Sequence, residues 1–270
     1  MSTELESELK NHDKGLKRKV ASDIAAGGGQ IKVGKDPLSF SLFRFLGLEL
    51  LKLACRESVF AHAFMILAWN LMARAANTFD VCHNHMEWVE DALCIYFAQM
   101  KNDQMGERPR DPRHIYANPL CPEICPILAL AIYWSCFDFI AGEINLFPGS
   151  NQYERFRKIL ARVVLLDQVA EELERRSIVP EDIGTHSMRK GASSFCASGS
   201  TSCPSSTAVH LRAGWSLGGV QDTYLRYEGA GDMYVGADTQ LIYFHRISKE
   251  QIPNLYEEHS GWCFQTFLVV

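Results

Sequence analysis

Apolar residues recur along this chain mostly at helical spacing, and they begin late. Residues 1 to about 37 are polar and close on "AAGGGQIKVGKDP", whose glycines and proline read as a linker. From Leu38 the pattern turns helical: "LSFSLFRFLGLELLKLA" carries an apolar stripe with Arg44, Glu49 and Lys52 spaced off it. The following stretch, "SVFAHAFMILAWNLMARAANTF", is apolar nearly all round. That pattern predicts a core helix with Arg74 at its C-terminal end.

Two strand-like runs come next. "DALCIYFAQM" ends in "KND", and "RHIYANPL" follows a polar gap, which together predict a hairpin with a long loop and Lys101 where the first strand turns. Three further helices are expected, over Pro126 to Ala141, Tyr153 to Arg176 and Ser187 to Ala197. "GSTSCPSSTA" breaks the chain before "VHLRAGWSLGGVQDTYLRY", in which "VQDTYLRY" reads as a short helix carrying Tyr224 and Tyr227. No internal repeat is visible. The class read from this pattern is mainly α with a small antiparallel β-sheet (α+β).

Composition narrows the picture. The 270 residues are 47% apolar, enough to bury one large core. The charged opening "MSTELESELKNHDKG" has no apolar stretch with a cleavage site, so no secretory signal is read there and an intracellular protein is expected. Nine cysteines lie scattered singly, as reduced thiols do. Two places invite a metal, "CHNH" (Cys82, His85) and "CPEIC" (Cys121, Cys125). Their internal spacing is loose and nothing fixes their approach, so no metal site is expected. The run Ile124 to Ala141 approaches membrane-spanning length, but Asp138 interrupts it, and a buried helix is favoured over a membrane segment.

A net charge of −5 argues against a protein coated in basic residues, yet leaves room for a local basic groove. Positive charge gathers in "KGLKRK" (Lys14, Lys17, Arg18, Lys19) and in "KNDQMGERPRDPRH" (Lys101, Arg108, Arg110, Arg113). Either cluster alone reads as a solvated face.

The stretch "DIGTHSMRKGASSF" places His186 and Arg189 one helical turn apart at the start of a helix. Residues at that spacing share a face, and the first turn adds the positive end of the helix dipole, so the pair suits a phosphate. A satisfied core histidine and an ion-paired arginine are the plainer alternatives. Further on, an exposed Tyr224 would be a weak nucleophile unless nearby cations stabilise its phenolate.

The order Arg74, Lys101, "HSMR" (His186, Arg189), Trp215 and Tyr224 resembles the catalytic set of the tyrosine recombinases, the phage-integrase family. Trp215 precedes Tyr224 by nine residues, as the histidine or tryptophan does in that family. The stretch from "IGTHSMRKGASSF" through "EGAGDMYVG", with "MKNDQMGERPRDPRHIYANP", is similar to the eukaryotic crypton-like branch of mobile elements. Asn77 departs from the acidic residue that many members carry three positions after the first arginine.

The resemblance implies a catalytic-domain fold over residues 38–236, preceded by a remnant of the N-terminal DNA-clamping domain plus linker (1–37). A tail, residues 237–270, would follow and dock on a neighbouring subunit. It implies site-specific cleavage and rejoining of duplex DNA through a 3′-phosphotyrosyl intermediate, as in integration of a mobile element, without metal or cofactor. In that scheme Tyr224 attacks, Arg74 and Arg189 clamp the phosphate, and Lys101 protonates the leaving oxygen. His186 handles the tyrosine proton and Trp215 supports the pocket. Lys14, Lys17, Arg18, Lys19, Arg108, Arg110, Arg113 and Lys190 would contact DNA. A homo-oligomer on DNA, tetrameric in the family, and a nuclear location are implied as well. The alternatives are a catalytically idle DNA-binding relic without its clamp domain and, more remotely, a type IB topoisomerase.

Overall fold

In a computed structural model the described residues are 3–25, 34–97, 111–137, 143–215, 217, 227 and 229–240. Lys101, Arg108, Arg110, Tyr224 and the tail from residue 241 lie outside them. The chain divides into two units, Met1–Gly34 and Lys35–Val270. The first holds helix α1 (Thr3–Ala25). Its Lys14, Lys17, Arg18 and Lys19 are exposed, and Lys17 pairs with Asp13 one turn back at 2.6 Å.

In the second unit, α2 (Phe40–Lys52) starts where the Ser39 hydroxyl accepts a bond from the Leu42 N–H, satisfying one of the free donors of a helix start. Its apolar stripe is buried through Leu42, Phe43, Leu46 and Leu50. Glu49, expected off that stripe, is buried too, held by Lys52 at 2.7 Å and Gln168 at 3.1 Å. Helix α3 (Arg56–Asn70) is buried from Ser58 to its end and packs against α2 and three later helices, so the all-round apolar pattern has its cause in a central position.

The α3 pattern does not run on to Arg74 as expected. Met72 adopts a left-handed backbone (φ 49°) and its N–H bonds the Trp69 carbonyl at 3.1 Å, which ends the helix. Arg74 is extended and instead opens the short helix α4 (Ala75–Phe79).

The expected hairpin is present as β2 (Ala92–Ile95) against β3 (Arg113–Ile115), with Leu93 opposite Ile115. A further strand, β1 (Met86–Val89), pairs with β2 across a two-residue turn and completes an antiparallel sheet in the order β1-β2-β3. The turn's Glu90 has φ 54° and carries no glycine signal, which hid the strand from sequence reading.

Helix α5 (Pro126–Cys136) has Pro126 in its first turn, where its missing N–H costs nothing, and ends at an extended Phe137 rather than at Ala141. The helix expected over Tyr153 to Arg176 is two, α6 (Gln152–Val163) and α7 (Asp167–Arg175), broken at an extended Leu166. Phase explains the break: Phe156, Ile159, Leu160 and Val163 form one stripe, but Val169 and Leu173 would fall off it in a continuous helix. Breaking the helix brings both stripes onto the core.

Helix α8 (Thr185–Ser194) runs into a single π-helical turn, Phe195–Gly199. Then come α9 (Ser206–Ala213) and α10 (Gly229–Asp238). The architecture is mainly α with a small antiparallel sheet. No helix among the described residues is long and apolar enough to cross a membrane.

Candidate active site

Helix α8 owes its position to a missing side chain. A Cβ on Gly191 would stand 2.1 Å from the Leu38 carbonyl oxygen and 2.6 Å from the Trp69 ring, so only glycine lets α8 lie directly on α3 and the lead-in to α2. Trp69 is fixed in turn by stacking on Phe43, 4.1 Å between ring centres, and by donating to the Thr239 carbonyl at 3.0 Å. Arg189, two residues before Gly191, thereby projects from a rigid base.

Arg189 is 6% exposed. One terminal nitrogen donates to the Ala213 carbonyl at the end of α9, and Nε is buried without a protein partner among the described residues. Its pKa is pulled down to about 10, first by burial and then by the like charge of Arg74. The like charge of Arg74, on the turn after α3, thus acts on Arg189, and among the described residues no carboxylate contributes to the shift.

Trp215 closes the group. Gly214 takes a left-handed backbone (φ 64°), its N–H bonding the Leu211 carbonyl at 3.0 Å while the Trp215 N–H bonds the His210 carbonyl at 2.9 Å. This paired arrangement is a common helix stop and fixes where the indole leaves the chain. The Arg189 guanidinium carbon lies 5.4 Å from the Trp215 ring centre, within cation–π range. His210 meets the indole edge-on, 5.3 Å between ring centres, and its Nδ1 is 2.6 Å from the Ser206 carbonyl. A carbonyl can only accept, so Nδ1 donates and Nε2 is left to accept. His210 escaped the sequence reading; its position five residues before Trp215 has no meaning until Gly214 turns the chain.

Of the expected site residues, Trp215 lies against Arg189, on which the charge of Arg74 acts. His186 is exposed on the first turn of α8, one turn before Arg189. Asn77 lies in α4, one turn after Arg74. Lys190 is exposed and donates to the Lys35 carbonyl at 2.7 Å.

Arg113 corrects the expectation of a DNA contact. It is 2% exposed and donates inward, Nε to the Arg212 carbonyl at 2.9 Å and a terminal nitrogen to the Leu211 carbonyl at 3.0 Å. All three residues of β3 are buried, so neither face of the strand offers Arg113 to solvent. With Arg212, His114 and Asp232 it belongs to a buried network that sequence reading missed. Arg212 pairs with Asp232 at 2.7 Å, and the same carboxylate oxygen accepts from the His114 backbone N–H at 2.8 Å and its Nδ1 at 2.9 Å. Burial pushes the Asp232 pKa up, but Arg212, His114 and Arg113 outweigh it and hold the value at about 2. Gly236 admits α10 to this network: a Cβ there would meet the His114 carbonyl oxygen at 2.3 Å.

Among the described residues no group of three or more His, Cys, Asp or Glu is placed to hold a metal ion. Cys82 donates to Asn145 at 3.5 Å, and the Cys125 sulfur caps the start of α5 by accepting from Leu128.

No protein-family model and no curated protein matches the chain. Among solved structures it is similar to the FLP recombinase of a recombinase–Holliday junction complex, with a TM-score of 0.50 at 12% identity. The likeness covers 89% of this chain and 58% of that one. At such identity it is a likeness of fold: the helical body with its three-stranded antiparallel sheet matches the catalytic-domain fold of that protein.

Proposed function

We propose that this chain is the DNA-cleaving part of a tyrosine recombinase, similar to the crypton-like branch, breaking and rejoining duplex DNA through a 3′-phosphotyrosyl ester. The observation that carries the reading is the seat of Arg189, buried against Trp215 under the like charge of Arg74, with no carboxylate among the described residues contributing to its shift. Two like charges so placed are costly unless an anion joins them, and a phosphate diester supplies one. The Arg189 Nε, buried without a partner among the described residues, is a donor for a nonbridging oxygen.

In the reaction Tyr224 Oη forms a bond to phosphorus, the bond from phosphorus to the 5′ oxygen breaks, and Lys101 gives that oxygen a proton. His186 takes or orients the tyrosine proton. Arg74 and Arg189 meet the charge that grows on the nonbridging oxygens, and Trp215 fixes Arg189 and lines the pocket. The chemistry calls for no metal or cofactor, because the phosphotyrosyl ester conserves the energy of the broken bond. Lys14, Lys17, Arg18, Lys19, Arg108, Arg110 and Lys190 are proposed to track the DNA backbone. The fold likeness supports a DNA partner, since the similar structure is a junction complex. The working form is proposed to be a homo-oligomer on DNA, in the nucleus, with residues 1–37 the end of a clamp domain and 237–270 a docking tail.

The test is a denaturant-resistant protein–DNA adduct formed in chelator without ATP. Its loss in Tyr224→Phe supports the reading; an adduct undiminished in that variant overturns it.

A further inference from the structure

Arg212, in the last turn of α9, has no part in the proposed chemistry, yet its side chain is wholly buried and every nitrogen of its guanidinium is engaged. Nε donates to the Asn70 carbonyl at 3.2 Å, and one terminal nitrogen donates to the same carbonyl at 2.8 Å and to the His114 carbonyl at 2.9 Å. The other terminal nitrogen donates to the Asp232 carbonyl at 3.1 Å and pairs with the Asp232 carboxylate at 2.7 Å. One fork thus joins α9 to the last residue of α3, to β3 and to the first turn of α10.

The places it joins lead directly to the arginine site. Asn70 ends α3, where carbonyls lack partners within the helix, and Arg74 follows four residues later, past the Met72 turn. The Asn70 side chain adds two bonds at that end, donating to the Ile66 carbonyl at 2.9 Å and accepting from the Thr239 hydroxyl at 3.1 Å. Ala213 follows Arg212 directly; its carbonyl accepts from Arg189, and Trp215, two residues on, faces the same guanidinium. A lysine in place of Arg212 would offer its N–H groups from a single point and could not hold carbonyls from three elements at once.

We propose that Arg212 is a positioning residue for the phosphate clamp: it fixes the Ala213 carbonyl and the Trp215 ring, which hold Arg189, against the end of α3 from which Arg74 follows. The inference rests on the reading of Arg189 as part of that clamp, and two measurements separate the two. The first follows the denaturant-resistant adduct on a nicked-duplex library of randomised sequence. Arg212→Lys should slow its formation about 10–100-fold with DNA affinity unchanged, because a small displacement of a catalytic group costs more in rate than in binding. In an Arg189→Lys background the same change should cost less than about threefold, since the group it acts through is already altered. Equal fold losses in the two backgrounds overturn the proposal.

The second measurement needs neither DNA nor catalysis, so it decides the matter if the wild type forms no adduct and the recombinase reading fails. In protein labelled with 5-fluorotryptophan, the fluorine signal of Trp215 is identified by its loss in Trp215→Phe. That signal should move in Arg212→Lys, as in Arg189→Met, while the signal of Trp88 on strand β1 stays in place. Where Arg212→Lys does not fold, Asp232→Asn, which removes the ion-pair partner and leaves the arginine, is read instead and should move the same signal. A Trp215 signal at its wild-type position, or Trp215 and Trp88 signals that move alike, overturns the proposal.

Discussion

Arg189 and Trp215 are joined twice: the guanidinium carbon lies 5.4 Å from the indole centre, and the same guanidinium donates to the carbonyl of Ala213, two residues before the tryptophan. The arginine is therefore held in one orientation before any phosphate arrives, with its Nε left over. Preorganised donors of this kind suit charge that grows during a reaction, because no reorientation is needed at the moment it appears.

Arg74 sets the cost of that arrangement. Its like charge helps pull the Arg189 pKa down, so Arg74→Met should relieve repulsion and stabilise the ligand-free protein by about 0.5–1 kcal/mol. The same variant should bind duplex DNA more weakly. Urea denaturation and a binding titration on one preparation check both halves, and a variant that is less stable without DNA would contradict the pairing.

Duplex binding should weaken steeply with salt, since phosphate contacts would supply most of the affinity. Replacing Lys14, Lys17, Arg18 and Lys19, all exposed on α1, with glutamine should lower affinity alike for every sequence and flatten the salt slope. Titrations at low and moderate salt measure this.

Gly191→Ala should destabilise the protein by about 1–3 kcal/mol, because the new methyl group would meet the Leu38 backbone and the Trp69 ring, neither of which can yield. DNA affinity should fall as well, since α8 carries both Arg189 and His186. Thermal melting with the same binding titration tests the link between helix packing and site.

How much of this was legible beforehand follows from range. Pattern alone reveals α2 by the periodicity of its one buried face, α3 by an apolar run long enough for a core helix, and the β2–β3 hairpin by two short apolar runs on either side of a polar gap. The break between α6 and α7 is also written in the chain, as the phase shift between Val163 and Val169, but it shows only once both faces are known to meet one core. Strand β1 turns at Glu90 without a glycine, and α10 opens on glycines that read as loop. At the site, the spacing of Arg74, His186, Arg189 and Trp215 is visible as an order of residues. The inward turn of Arg113 and the gathering of Arg212, His114 and Asp232 are not, because those contacts join residues about a hundred positions apart.

His62 makes stability depend on pH. It is wholly buried, its Nε2 donating to the Glu123 carbonyl at 2.9 Å, and burial lowers its pKa to about 4 from the ordinary 6.5. Between those pH values the unfolded chain binds a proton that the folded one excludes. Stability is thus full above pH 6.5 and falls as the pH drops toward 4, by at most about 1.4 kcal/mol per pH unit. His62→Gln should remove most of that slope, as denaturation between pH 7 and about 4 will show.

The central claim is that Tyr224, activated by the Arg74–Arg189 pair, becomes joined to DNA. A nicked duplex that loses its 5′-hydroxyl fragment on cleavage cannot be resealed, so the covalent adduct accumulates and its peptide can be mapped by mass spectrometry. The measurement is that map, made for the wild type and for Arg189→Lys. The account predicts nucleotide on the peptide at Tyr224, none at Tyr227, and a yield reduced about 10²–10³-fold in rate when the two-pronged guanidinium becomes a point charge. Nucleotide on any other residue, or an adduct that forms equally fast in Arg189→Lys, would contradict it.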